Sequence, residues 1–396
     1  MALPEPTRRS LRRPIRGRDR GEEYRTATSL ELFFDLCFVV AVSQASDQLA
    51  HQAIEGHLAR GLGYYAASFF AIWWAWMGFS WFASAYDTDD VPYRIATFVQ
   101  IVGALVLAAG IPDAFAGDFT VITAGYAVMR IAVVGQWLRA SREDSDPARR
   151  RVARRYAGGI SLLQVGWIGR LWLPEQWQML AFAVLVIAEL LVPVVSERGA
   201  AAAWHPEHIA ERFGLFTLIV LGETVASATL AVQEALDGEH LVQLSLIAAG
   251  GLLTVFTMWW MYFARPGAAL ITTQTQAFRW GYGHYFILGS AAAVGAGLEI
   301  ALALLGHPHT VSGFSAAWVF TVAVATFVIL AWLLHVRPHG SRAGRSWAHP
   351  AIAVLILLTP FTGQPYLTTG LLMVVLLAVS LRAASHDMLP TATPSG

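Results

Sequence analysis

Apolar residues along this chain do not alternate with polar ones. They gather into runs of roughly 20, the length a helix rising about 1.5 Å per residue needs to cross about 30 Å of hydrocarbon. The runs fall at 28–50, 61–85, 93–115, 119–140, 156–173, 176–196, 208–233, 241–264, 277–305, 313–336, 349–363 and 366–384. Stretches such as Leu180 to Val195 and Ala351 to Leu358 read as apolar on every face, which excludes the period-two strands of a membrane barrel. The pattern predicts an all-α polytopic membrane protein with about 12 transmembrane helices. The eleventh run stops at Thr359-Pro360 and resumes after Gln364-Pro365. Residues 349–384 therefore read either as two spans or as one span plus a re-entrant piece.

Composition agrees with a chain covered by lipid. Of 396 residues, 56% are hydrophobic and 14% charged, more apolar surface than a soluble fold of this size buries in one core. The single cysteine, Cys37, rules out an internal disulfide and any cysteine-based metal cluster. A formal charge of +0 gives no reason to expect nucleic acid as a partner; the expected surroundings are the lipid bilayer and a small ion or solute.

Charge distribution orients the runs, because basic residues accumulate on the cytoplasmic side. Arg8, Arg9, Arg12, Arg13, Arg16, Arg18, Arg20 and Arg25 precede the first run, and Arg139, Arg142, Arg149, Arg150, Arg151, Arg154 and Arg155 follow the fourth. Arg198, Arg212, Arg265, Arg279, Arg337, Arg342 and Arg345 fall on that same side, and the alternate connections keep Arg60 and Arg170. An even number of crossings follows, with both termini cytoplasmic. Residues 1–27 are expected to form a disordered basic arm that sets topology, and 385–396 a cytoplasmic tail. The basic residues run into a full-length span, which argues against a cleaved signal peptide.

Displaced by about 180 residues, the chain weakly matches itself. Glu31-Leu-Phe-Phe-Asp-Leu faces Glu211-Arg-Phe-Gly-Leu-Phe, Trp73-Trp74 faces Trp259-Trp260, and Arg94 faces Arg279. Two parallel-oriented six-helix repeats, 28–196 and 197–384, are the expectation. The alternative is that Arg and paired Trp simply recur at membrane interfaces.

An ionisable group at bilayer depth costs ~2.5–3.5 kcal/mol on insertion scales, so each one needs a partner, a cavity or a task. Glu31 and Asp35, four apart on one helix face, suit a cation or proton site, or else a packing tie to an Arg of another helix. His208, Glu211, Arg212 and Glu223 share the seventh run, with Glu223 near its middle behind Gly222. His208 and Glu211, at i and i+3, resemble half of a carboxylate-bridged metal site, but no other segment supplies that spacing, and a hydrogen-bonded helix entry is the favoured reading. Arg130, deep in the fourth run, must meet a carboxylate such as Asp35 or Glu223, or bind an anion. The acidic connection Asp87, Asp89, Asp90 reads as paired with Arg94 or Arg212, or as a divalent-cation site. His284 sits among helix-contact residues in the ninth run, with Arg279 before it and Glu299 beyond it.

Glu31-Leu-Phe-Phe-Asp-Leu-Cys-Phe-Val and His208-Ile-Ala-Glu211-Arg-Phe-Gly-Leu-Phe-Thr-Leu-Ile-Val-Leu-Gly222-Glu223-Thr resemble the bacterial low-temperature-requirement A family. Asp87 to Asp90 followed by Arg94, and Tyr282-Gly-His284, extend the likeness over most of 28–300. The resemblance implies a multi-pass protein of the bacterial cytoplasmic (inner) membrane and fixes no biochemical activity. No phosphate loop, nucleophile elbow or zinc-protease motif is present where its chemistry could work, and no cofactor is called for. The leading expectation is a transporter or channel in which Asp35, Glu223 and Arg130 form a midplane network. The alternatives are an intramembrane enzyme acting on a lipid or other apolar substrate through Asp87, Asp89 and Asp90 or His208 and Glu211, and a non-catalytic sensor.

Overall fold

The computed structural model describes residues 11–18, 26–235, 240–306, 312–339 and 347–388. They are helical almost throughout, in the order α1 (Ser29–Ile54), α2 (Leu58–Tyr86), α3 (Val91–Ala109), α4 (Ile111–Ala116), α5 (Thr120–Glu143), α6 (Pro147–Arg170), α7 (Glu175–Ser196), α8 (Pro206–Ala235), α9 (Leu241–Phe263), α10 (Gln274–Gly306), α11 (Gly313–Ala331), α12 (Ala348–Leu358) and α13 (Pro365–Met388). Eight helices among the described residues are long and apolar enough to cross a membrane: α1, α3, α5, α7, α9, α10, α11 and α13.

The runs at 61–85, 156–173 and 208–233 are helical too, as α2, α6 and α8. The run at 93–115 is not one helix; it breaks at Gly110, after which Pro112 opens the short α4. The run at 349–363 is α12 followed by a 3-10 turn at Thr359–Phe361. Together these residues rise only ~20 Å, short of a full hydrocarbon core.

Several starts are written locally. Thr28 and Glu31 form a reciprocal cap on α1: the Glu31 N–H donates to Thr28 Oγ1 (3.3 Å) and the Thr28 N–H to Glu31 Oε2 (2.7 Å). Asp90 accepts from the Tyr93 N–H to cap α3, and Asp146 from the Ala148 N–H to cap α6.

The chain divides into two compact units. The first comprises Met1–Ala41 and Ala71–Arg212, the second Val42–Phe70 and Phe213–Gly396. This division differs from 28–196 and 197–384, because the turn joining α1 to α2 belongs with the second unit. The landmarks of the internal match also sit in unlike surroundings, Trp73 and Trp74 being buried while Trp259 and Trp260 are about half exposed.

Within the first unit α3 packs on α5, α5 on α6 and α6 on α7. Gly125 permits the first of these contacts, since a Cβ there would run into the Leu107 backbone. Trp137 stacks on Tyr156 at 4.2 Å and takes Phe82 edge-on. Within the second unit α10 packs on α11 and α9 on α13, the latter so closely that a Cβ at Gly250 would meet the Tyr366 carbonyl. Large apolar side chains such as Ile131, Leu162, Val184, Ile187 and Phe256 face outward, a surface that water would penalise and hydrocarbon accepts.

Residues 11–18, part of the arm expected to be disordered, run in extended form across the first unit. The Arg13 N–H donates to Asp90, the Ile15 N–H to Glu143 and the Arg18 N–H to the Ala85 carbonyl, and Ile15 is buried.

Candidate functional site

Buried charge concentrates where the first turns of α1 and α8 meet in the first unit. Arg212 forks onto Asp35, Nη2 to Oδ1 at 2.5 Å and Nε to Oδ2 at 3.2 Å, and its Nη1 lies 3.3 Å from Glu31 Oε1. His208 Nε2 is 3.1 Å from the same Glu31 oxygen, and the Trp76 indole donates to Asp35 Oδ1 at 2.7 Å. Glu31, Asp35, His208 and Arg212 are all fully buried. Glu211 turns the other way and accepts the Ala27 N–H at 3.0 Å, so Glu31 and Glu211 both tie the entry of α1. His208 and Glu211 thus serve separate partners, and no group of three or more His, Cys, Asp or Glu side chains capable of holding a metal occurs among the described residues.

Arg130 does meet a carboxylate, and that carboxylate is Glu189 of α7. Its Nη2 lies 2.5 Å from Glu189 Oε2, while Tyr126 and the Trp74 and Trp167 indoles donate to the two carboxylate oxygens at 2.8–3.1 Å. Glu189 lies inside the stretch Leu180 to Val195, so that stretch is not apolar on every face; one face carries a charge. The signal was a lone carboxylate in an otherwise apolar run.

At the connection between α2 and α3 Arg94 holds Asp89 through both carboxylate oxygens at 2.8 and 2.9 Å. Asp87 accepts the Asp89 N–H in a turn whose left-handed Asp89 has φ 46°. Arg139 grips Asp90 at 2.6 Å. Burial works to raise the Asp90 pKa, but the Arg139 guanidinium and the Arg13 and Tyr93 N–H groups hold it well below the usual carboxylate range. Arg212 belongs to the buried cluster, and Arg279 is exposed at the start of α10.

In the second unit Glu223 is half-buried on α8, accepts from Ser227 Oγ at 3.3 Å, and its charge reaches Asp47 on α1, a residue the sequence reading passed over. Neither carboxylate makes an ion pair with any of the described residues. A Cβ on Gly222 would meet open space, so that glycine does not mark a close contact. His284 is fully buried against Tyr262 and His335, and Glu299 is half-buried further along α10.

These features define a multi-pass helical membrane protein whose membrane-embedded charges are largely paired in pre-built clusters. The chain belongs to the family described as bacterial low temperature requirement A protein (LtrA), whose model matches residues 26–382. It is also similar to an uncharacterized protein of Rhizobium meliloti (strain 1021), 27% identical over 303 residues, which is 72% of this chain and 71% of that protein. No solved structure matches.

Proposed function

We propose that this protein is a transporter or channel for a small cation, or for a solute coupled to a proton, and that Asp47 and Glu223 are the carboxylates that receive the ion. The reading rests on one contrast. Asp35 and Glu189 each have an arginine in hydrogen-bond contact, whereas Asp47 and Glu223 lie within electrostatic range of one another with no ion-pair partner among the described residues. Two like charges that feel one another at bilayer depth are relieved by a proton or a bound cation. Glu31, Asp35, Arg130, His208 and Glu211 then act as the rigid frame, and Glu223 remains the acceptor.

Twelve crossings in the bacterial cytoplasmic (inner) membrane, with both termini cytoplasmic, complete the proposal. The alternation of arginine between successive connections supports it. The test is to reconstitute the protein and its Glu223→Gln variant in liposomes and follow internal pH and membrane potential under imposed proton, sodium and potassium gradients. Flux lost in the variant supports the reading; a wild type that passes nothing under any gradient removes it.

A further inference from the structure

We infer that His284, His335 and Tyr262 form a binding site for a single zinc-class divalent cation within the second unit. The inference does not rest on ion flux, since metal content is read without it.

The argument starts from one tautomer. His284 Nδ1 lies 2.6 Å from the Trp280 carbonyl oxygen, and a carbonyl can only accept, so this nitrogen carries the ring proton. In the neutral ring Nε2 is then a bare lone pair. Two groups converge on it: Tyr262 Oη at 2.9 Å and Nε2 of His335 at 3.3 Å.

Without a metal, that one in-plane lone pair can accept from only one of the two at a time. With a metal, the spacing is natural. Two atoms each ~2.0–2.1 Å from zinc and about 109° apart lie about 3.3 Å from each other, and 2.9 Å corresponds to an angle of about 90°. The carbonyl on Nδ1 is the outer partner that metal-bound imidazoles usually have, fixing ring orientation and raising basicity.

The backbone supports the same reading. His335 lies in a π-helical turn, Trp332–Val336, at the end of α11, an irregularity that shifts side-chain register and is frequent at functional sites. Its ring meets that of His284 at 68° with centroids 5.2 Å apart. His284, His335 and Tyr262 are all buried, and Trp280 and Phe213 lay their rings against His284. Two imidazoles, which are borderline donors, and one hard phenolate oxygen make a mixed nitrogen–oxygen set that zinc and copper(II) can take. Tyr262 binds as phenolate, and its hydroxyl proton is released to water. Thr217, within hydrogen-bond reach of Tyr262 and itself donating to the Phe213 carbonyl, can accept that hydroxyl when no metal is bound.

The experiment uses the full chain in detergent with any affinity tag removed. Metal is measured by plasma mass spectrometry as purified, and Co²⁺ is titrated into chelator-stripped protein while visible absorption is recorded. About one ion per chain is expected, with intense low-symmetry Co²⁺ bands, and His335→Ala and His284→Ala should lower affinity by more than about tenfold. Tyr262→Phe keeps the ring and the packing, so it serves if the histidine variants do not fold, and it should shift the Co²⁺ bands. Wild-type protein with neither bound metal nor Co²⁺ bands overturns the inference, as does a Tyr262→Phe spectrum identical to wild type.

Discussion

Arg212 and Asp35 meet through two contacts, Nη2 to Oδ1 and Nε to Oδ2, with neither side chain exposed and the Trp76 indole closing on the same carboxylate. A pair this enclosed matters most when half of it is removed. Arg212→Gln should lower unfolding stability by ~3–5 kcal/mol, because Glu31 and Asp35 are left as buried charges, whereas Asp35→Leu combined with Arg212→Met should recover most of that loss. Thermal unfolding in detergent reads both, and a single variant as stable as wild type contradicts the structural role.

Asp47 and Glu223 should behave in the opposite way. Neutralising one of two carboxylates that feel one another relieves repulsion, so Asp47→Asn should raise stability by about 0.5 kcal/mol while lowering flux in liposomes. A variant that loses stability as well as flux would assign Asp47 to packing.

The strap at 11–18 depends on Asp90, which holds the Arg13 N–H and Arg139 together with the cap of α3. Asp90→Ala should expose the Arg16-Gly17 bond and speed trypsin cleavage there by about tenfold, the equivalent of losing one hydrogen bond to a charged group. Because the folded pKa of Asp90 is depressed, its contribution is fully present above the ordinary carboxylate value of about 3.9 and is lost as pH falls toward the folded value. Hydrogen exchange at the Arg13 amide, taken relative to its intrinsic rate at each pH, should therefore stay flat from pH 8 to about pH 5 and rise only in stronger acid. A rise near neutrality would point to another group.

Gly363 lies between α12 and α13, and a Cβ there meets nothing within 4 Å. In a Cys37→Ser background, Gly363→Cys should react with an impermeant thiol reagent from the extracytoplasmic side, as an even crossing count requires. Reaction from the cytoplasmic side alone would make α12 re-entrant.

Helix positions were largely legible because length and apolarity act locally: α1, α5, α7, α9 and α13 begin and end within a few residues of their runs. The break at Gly110 was less so, since the residues on both sides of it are apolar. Partner choice was legible only in part. Arg94 and Asp89 are only five residues apart and could be read from spacing, and so could the shared face of Glu31 and Asp35. The marriage of Arg130 to Glu189 depends on how α5, α6 and α7 pack, which no one-dimensional pattern carries. The internal match of Glu31 with Glu211 acquires a physical meaning of its own, because His208 and Arg212 of that second segment are the groups that Glu31 and Asp35 touch.

Glu189 has one more consequence. Both of its oxygens receive indole N–H groups, Oε2 from Trp74 and Oε1 from Trp167, within an otherwise apolar setting. Indole emission responds to charge at the ring nitrogen, so the protein carries an optical gauge inside its own frame. Any event that protonates Glu189, or pulls α7 from α2 or α6, will be written as a colour shift in its intrinsic fluorescence, with no label added.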